Sequence, residues 1–132
     1  MQGSAGAAIH AGVARGAGDV VVQKGAARLV DSYSGFGDAQ GGAHERTALE
    51  GHLRAAGATA VVVAGLALDW CVAFTCKDAK RLGFDTYLVL EGCRGINADN
   101  KVEKELAQLR GLGVHIVDTA AQLPAALFPQ RA

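Results

Sequence analysis

Short apolar runs alternate with stretches of helical periodicity along most of this chain, and glycines close many of them. The clearest run, residues 59–64, is continuously apolar and of strand length, which is typical of a strand in a parallel sheet with both faces covered. Similar runs predict strands at 19–23, 85–90 and 114–117. Helical spacing predicts helices at 49–56, 71–82 and 97–109, and a terminal helix at 120–127 that Pro124 breaks. Strands that alternate with helices over short connections predict an α/β fold with a mainly parallel sheet.

The size and charge of the chain narrow its organisation. Its 132 residues and 13.5 kDa predict a single domain over residues 1–132. Thirteen basic and thirteen acidic residues give a formal net charge of +0, which argues against binding to a nucleic-acid backbone. Aromatic residues are only 5% of the chain, too few to favour a platform on which bases stack. We therefore expect no nucleic-acid partner, whereas the sequence leaves open whether a second copy of the chain binds.

The compartment follows from what the sequence lacks. No apolar run approaches the ~20 residues that span a bilayer, so no membrane association is expected. The start of the chain, residues 1–4, has neither the basic residues nor the apolar stretch of a signal peptide. Three cysteines without a C-x-x-C pair do not make a disulfide framework. We expect a cytoplasmic protein with reduced thiols.

Reactive side chains in an open parallel sheet collect at the carboxyl ends of the strands. Cys71 falls where the strand at 59–64 gives way to a helix, and a helix N-terminus favours a thiolate. Lys24 follows the strand predicted at 19–23, and Asp69 is placed to cap the helix of Cys71. The ordinary alternative for Cys71 is a buried structural thiol, and the ordinary alternative for Lys24 is a solvent-exposed lysine. Cys76 is interpreted as structural, whereas Cys93 is ambiguous, with a structural role favoured.

The histidines do not suggest a metal site. His10, His44, His52 and His115 form no H-x-H or H-x-x-x-H pair, and no Cys/His grouping has ligand spacing. A Cys–His pair of Cys71 with His115 is an alternative that nothing in the spacing favours. The glycine-rich stretch at 35–42 does not match a phosphate-binding P-loop.

Three segments together resemble the nicotinamidase branch of the isochorismatase-like cysteine hydrolases. Residues 22–25, V-Q-K-G, look like the lysine strand of that family. Residues 31–36 match its D-S-Y-S-x-F stretch, and residues 65–72 resemble its G-x-A-T-D-x-C-V nucleophile segment, with Leu68 in place of the threonine. The resemblance extends over nearly the whole chain.

The resemblance implies a three-layer α/β/α fold and an Asp–Lys–Cys triad. Cys71 would attack the carboxamide carbon of nicotinamide, release ammonia and leave a thioester for water to cleave into nicotinic acid. Lys24 would support the thiolate, Ala67 and Cys71 would supply the N–H groups of an oxyanion hole, and Tyr33 would lie against the pyridine ring. The peptide bond between Leu66 and Ala67 would be cis. The activity would serve NAD biosynthesis and salvage.

The match begins after the segment in which the family carries its triad aspartate and its metal ligands. We therefore expect an N-terminally incomplete domain that lacks the N-terminal strands of the family and holds no metal or other cofactor of its own. Full-length members are expected to carry a divalent metal such as zinc. Two alternatives stay open: a truncated, non-catalytic remnant or binding module of the same fold, and a related cysteine hydrolase that acts on another small amide.

Overall fold

The fold is an α/β arrangement around a parallel sheet, seen in a computed structural model that describes residues 3–26, 31–37 and 46–128. Within these ranges the sheet has three strands in the order β1-β2-β3: β1 is Ala60–Leu66, β2 is Asp85–Arg94 and β3 is His115–Val117. The helices are α1 at Leu49–Ala55, α2 at Ala73–Arg81 and α3 at Lys101–Gly111. The predicted α/β class and parallel sheet are confirmed.

Strand pairing is regular at the amino end of the sheet and irregular at the carboxyl end. Ala60 pairs with Asp85 and Val63 with Leu88, but Gly65 pairs with Cys93, so β2 contains an irregularity opposite the end of β1. Gly92 lies within it, and a Cβ there would stand 3.0 Å from the Cβ of Ala64. Such bulges often re-aim the chain next to functional sites.

The core lies between the sheet and helices α2 and α3. Ala73 and Cys76 of α2, Leu88 of β2 and Leu109 of α3 are fully buried in one apolar cluster. Val63 of β1 packs against this cluster from the sheet. Close packing here fixes α2, and therefore the turn that precedes it, relative to β1 and β2.

The strand predicted at 19–23 is wrong. Residues 19–26 have no regular secondary structure, and Val20 and Val21 are 58% and 53% exposed. A β-branched run becomes a strand only when a neighbouring strand completes its hydrogen-bond ladder, and no strand among the described residues pairs with this one.

The α-helix predicted at 120–127 does not form, although the predicted break at Pro124 is present. Two single 3₁₀ turns, Ala120–Gln122 and Ala125–Leu127, stand on either side of Pro124, which cannot donate a backbone hydrogen bond. His44 and residues 38–42 of the glycine-rich stretch lie outside the described residues.

Candidate active site

The candidate nucleophile, Cys71, sits in a tight turn between β1 and α2. After Leu66 the peptide bond to Ala67 is cis, as the resemblance implies. A single π-helical turn, Leu68–Val72, then carries Cys71 directly into α2. The Ala67 carbonyl accepts hydrogen bonds from the N–H groups of Trp70 and Val72, both at 3.1 Å. Cys71 is therefore held at the carboxyl end of β1, where the sequence predicts it.

The structure brings Lys24 to Cys71 across 47 residues of sequence. The Lys24 Nζ donates to the Cys71 Sγ at 3.3 Å and to the Ser32 carbonyl oxygen at 3.1 Å. Lys24 is exposed and Cys71 is half-buried. No carboxylate within residues 3–26, 31–37 and 46–128 forms an ion pair with Lys24. The contact therefore places a cationic hydrogen-bond donor directly beside the candidate nucleophile.

Tyr33 lies beside the nucleophile turn. Its ring centroid is 5.1 Å from that of Trp70 and 5.4 Å from that of Phe74, two residues one helical turn apart. Lys101 of α3 places its Nζ 4.0 Å from the centre of the Trp70 ring. Sequence reasoning proposed Tyr33 but missed its aromatic neighbours, whose i, i+4 spacing was the available signal.

A threonine ties the tyrosine segment to the nucleophile. The Gly35 N–H donates to the Thr75 Oγ1 at 2.8 Å, and the Thr75 hydroxyl donates to the Cys71 carbonyl at 2.7 Å. Segment 31–37 and the start of α2 therefore share one hydrogen-bonded chain.

Asp69 does not cap the helix of Cys71, contrary to the sequence-based prediction. Its fully buried carboxylate accepts the backbone N–H groups of Ile96 and Asn97, which follow β2. Burial acts to raise the pKa of Asp69, but these hydrogen bonds and the nearby Lys101 charge outweigh it, so the pKa lies below its ordinary value. A separation of 27 residues, as between Asp69 and Ile96, is invisible to local pattern reasoning.

The other two thiols, Cys76 and Cys93, are buried, whereas Cys71 is half-buried. Burial, with a contribution from Cys93, raises the pKa of Cys76 to about 12. Burial likewise raises the pKa of Cys93, although a backbone hydrogen bond from Gly65 and the charge of Arg94 oppose it. Both side chains are buried, which fits their structural interpretation.

His115 lies away from Cys71. It begins β3 and bonds to the Asp85 carboxylate at 3.1 Å at the amino ends of the strands, whereas Cys71 follows the carboxyl end of β1. The Cys71–His115 pair is therefore excluded.

The described residues contain neither a metal-binding cluster nor a membrane-spanning helix. Within the described part of the chain, no group of three or more His, Cys, Asp or Glu side chains is arranged to hold a metal ion, so the fit to a metal site fails there and no step is assigned to a metal. No helix in the described ranges is long and apolar enough to cross a membrane.

Comparison with known proteins gives the family. The isochorismatase domain model matches residues 1–121. The chain therefore belongs to the isochorismatase family.

Its similar relatives carry a more specific name. The chain is 41% identical over 97 residues to the nicotinamidase of Escherichia coli, covering 74% of this chain and 45% of that protein. It is 29% identical over 119 residues to the nicotinamidase of Acinetobacter baylyi, covering 90% of this chain and 55% of that protein. The chain thus spans about half the length of these curated relatives.

Solved structures with similar names also superpose on this chain. PnC1 from L. infantum in complex with nicotinate superposes with a TM-score of 0.81 and 37% identity, over 93% of this chain and 60% of that one. The pyrazinamidase of Pyrococcus horikoshii in complex with zinc superposes with a TM-score of 0.56 and 33% sequence identity, over 67% of this chain and 44% of that one.

Proposed function

We propose that this chain carries the thiol half of a nicotinamidase-type active site, which hydrolyses nicotinamide to nicotinic acid and ammonia. The observation that carries the proposal is the 3.3 Å contact between the Lys24 ammonium and the Cys71 sulfur at the carboxyl end of β1. Relatives named nicotinamidase and a structural neighbour that holds nicotinate support the substrate class.

The residues divide the reaction between them. The Cys71 Sγ attacks the carboxamide carbon, a C–S bond forms, and the π electron pair of the carbonyl moves onto its oxygen. The N–H groups of Ala67 and Cys71 stabilise this oxyanion. The carbonyl then re-forms as the C–N bond breaks, and the nitrogen leaves as ammonia with the proton that the thiol gave up. Water next adds its OH to the thioester carbon, the C–S bond breaks, and the remaining proton returns to the sulfur. Lys24 stabilises the thiolate at the start and end of the cycle.

Tyr33 and its aromatic neighbours favour a flat substrate. Tyr33 is exposed while its ring stays in contact with Trp70 and Phe74, so one aromatic surface is held in place beside Cys71. A pyridine ring carrying a carboxamide matches that surface through offset stacking.

Ammonia release tests the proposal. The thiol proton must be taken up and later delivered to the leaving nitrogen, help worth roughly 10²–10⁴-fold. No described carboxylate pairs with Lys24, so we expect little or no ammonia from the 132-residue chain alone. Fusion to the N-terminal segment of the Acinetobacter baylyi relative should give turnover.

Variants of the fusion protein test whether the turnover depends on Cys71. Cys71→Ala should abolish it, while the matched Cys93→Ala should retain it. Full activity of the 132-residue chain alone would contradict the need for a further proton-transfer group. An active Cys71→Ala fusion would reject the site, and turnover of another small amide instead of nicotinamide would reject the substrate.

The biological setting completes the proposal. We propose that the reaction serves NAD salvage, because nicotinic acid is its product, and that the protein works in the reducing cytoplasm, with which the free thiols Cys71, Cys76 and Cys93 are compatible.

A further inference from the structure

Asp69 is a fully buried carboxylate two residues before the candidate nucleophile. Each of its oxygens has a separate backbone partner: Oδ1 accepts from the Ile96 N–H at 3.0 Å and Oδ2 from the Asn97 N–H at 2.8 Å. A buried carboxylate is retained only where hydrogen bonds or charges replace its water. Its two bonds join the turn of Cys71 to the segment between β2 and α3.

That segment is shaped to receive the carboxylate. A Cβ at Gly95 would lie 3.1 Å from the Asp69 Oδ1 and would collide with the Cγ2 of Val102. Asn97 has a left-handed backbone, with φ of 58°, and its side-chain oxygen accepts the N–H of Val102 in the first turn of α3. The carboxylate therefore fits where glycine leaves room, between the nucleophile turn and the start of α3.

We propose that Asp69 is a positioning residue that fixes the π-helical turn so that the N–H groups of Ala67 and Cys71 face the same carbonyl oxygen. This inference rests on the proposed function, because it concerns the oxyanion-stabilising groups of that site. Asp69 acts through its hydrogen bonds and not as a proton carrier, since burial keeps it from solvent and both of its oxygens accept backbone N–H groups.

Two probes separate positioning from general stability. Pyridine-3-carbaldehyde, the nicotinaldehyde that inhibits the yeast relative, adds reversibly to a thiol. The sulfur–carbon bond forms, the C=O π pair moves to oxygen, and the thiol proton ends on that oxygen. This adduct needs the aligned N–H groups. Iodoacetamide instead alkylates the sulfur by displacing iodide from a CH₂ carbon, which requires only an accessible thiolate.

The variant is Asp69→Asn, made in the full chain. The asparagine side chain has an NH₂ group in place of one carboxylate oxygen, and this group cannot accept the hydrogen bond of the backbone N–H that it faces. We expect the aldehyde dissociation constant at Cys71 to rise roughly tenfold, because misplacement by ~1 Å costs up to ~10²-fold in such sites. The alkylation rate of Cys71 should change by less than about twofold, because it does not use the oxyanion donors.

Asp78→Asn is the matched control. Asp78 is also a buried carboxylate in the same helical segment, but its partner is Arg81, at 3.0 Å. This control should lower thermal stability and leave the ratio of the two probe reactions unchanged.

Each result decides between the ideas. Equal losses with both probes in Asp69→Asn, or an unchanged aldehyde constant, would overturn the positioning role while leaving the proposed function intact. If Asp69→Asn does not fold, Gly95→Ala displaces the loop while the charge stays, and the same selective loss is expected. Failure of the wild-type chain to form the adduct at Cys71 would reject the proposed site itself, and with it this inference.

Discussion

The two halves of the reactive pair are held in very different ways. Cys71 lies in the π-helical turn that leads into α2, whose residues Ala73 and Cys76 are fully buried in the core. Lys24 belongs to segment 3–26, in which almost every residue is exposed and no strand forms. The position of the sulfur is therefore set by core packing, whereas the position of the ammonium depends on its contacts with Cys71 and Ser32.

This difference implies two separate routes to loss of the site. The sulfur is displaced only when the core unfolds, and that requires the full free energy of unfolding of the domain. A local displacement of segment 3–26 removes the ammonium alone, because few buried contacts resist it. Changes in the core should therefore alter stability, and changes in segment 3–26 should alter reactivity.

The largest contrast is expected between Leu88→Ala and Val20→Ala. Leu88 is 0% exposed in the core, so its truncation should cost about 2–5 kcal/mol of unfolding free energy. Val20 is 58% exposed, so its truncation should stay within about 0.5 kcal/mol. Urea denaturation followed by circular dichroism measures both. Similar losses in the two variants would show that segment 3–26 packs as tightly as the core.

An intermediate effect is expected for Asp69→Asn, and it depends on pH. The folded-state pKa of Asp69 is below its ordinary value of 3.8, so its stabilisation is present above pH 3.8 and is lost as the pH falls through the folded value. Leaving a backbone N–H unsatisfied should cost about 1–3 kcal/mol near pH 6. Urea midpoints at a series of pH values would show the stability difference between the wild-type chain and Asp69→Asn narrowing in acid. A difference that widens in acid would contradict this prediction.

The smallest effect is expected for Lys24→Met. Partly exposed charge pairs contribute about 0.2–1 kcal/mol, so the Cys71 alkylation rate at neutral pH should fall by up to roughly fivefold. Brief iodoacetamide treatment and peptide mass spectrometry measure this rate, with Lys104→Met as the charge-matched control on α3. In the wild-type chain Cys71 should label before Cys76 and Cys93. Preferential labelling of Cys93 would contradict the assignment of the nucleophile.

Local sequence patterns predict the core elements well. The apolar run at 59–64 corresponds to β1, and the helix predicted at 71–82 covers α2 and the last two residues of the π-helical turn that holds Cys71. These elements follow from residues that are close in the sequence. The run at 19–23 has the same composition, but a strand also needs a partner, which a local pattern does not contain.

Long-range contacts account for what sequence patterns miss at the site. Lys24 and Cys71 could be paired only through the family resemblance, because 47 residues separate them. The hydrogen bonds of Asp69 to Ile96 and Asn97 depend on where the loop after β2 folds back, so a local pattern favours a helix cap instead.

Trp70 has an optical consequence. It is the sole tryptophan of the chain, and it stands next to Cys71 in sequence, beside the Tyr33 ring and under the Lys101 ammonium. All indole emission from this protein therefore originates at one place. A ligand that binds against Tyr33, or a shift of α3 that moves Lys101 away, would change the polarity and charge around that single fluorophore. The fluorescence of the unlabelled chain would therefore report on the candidate site.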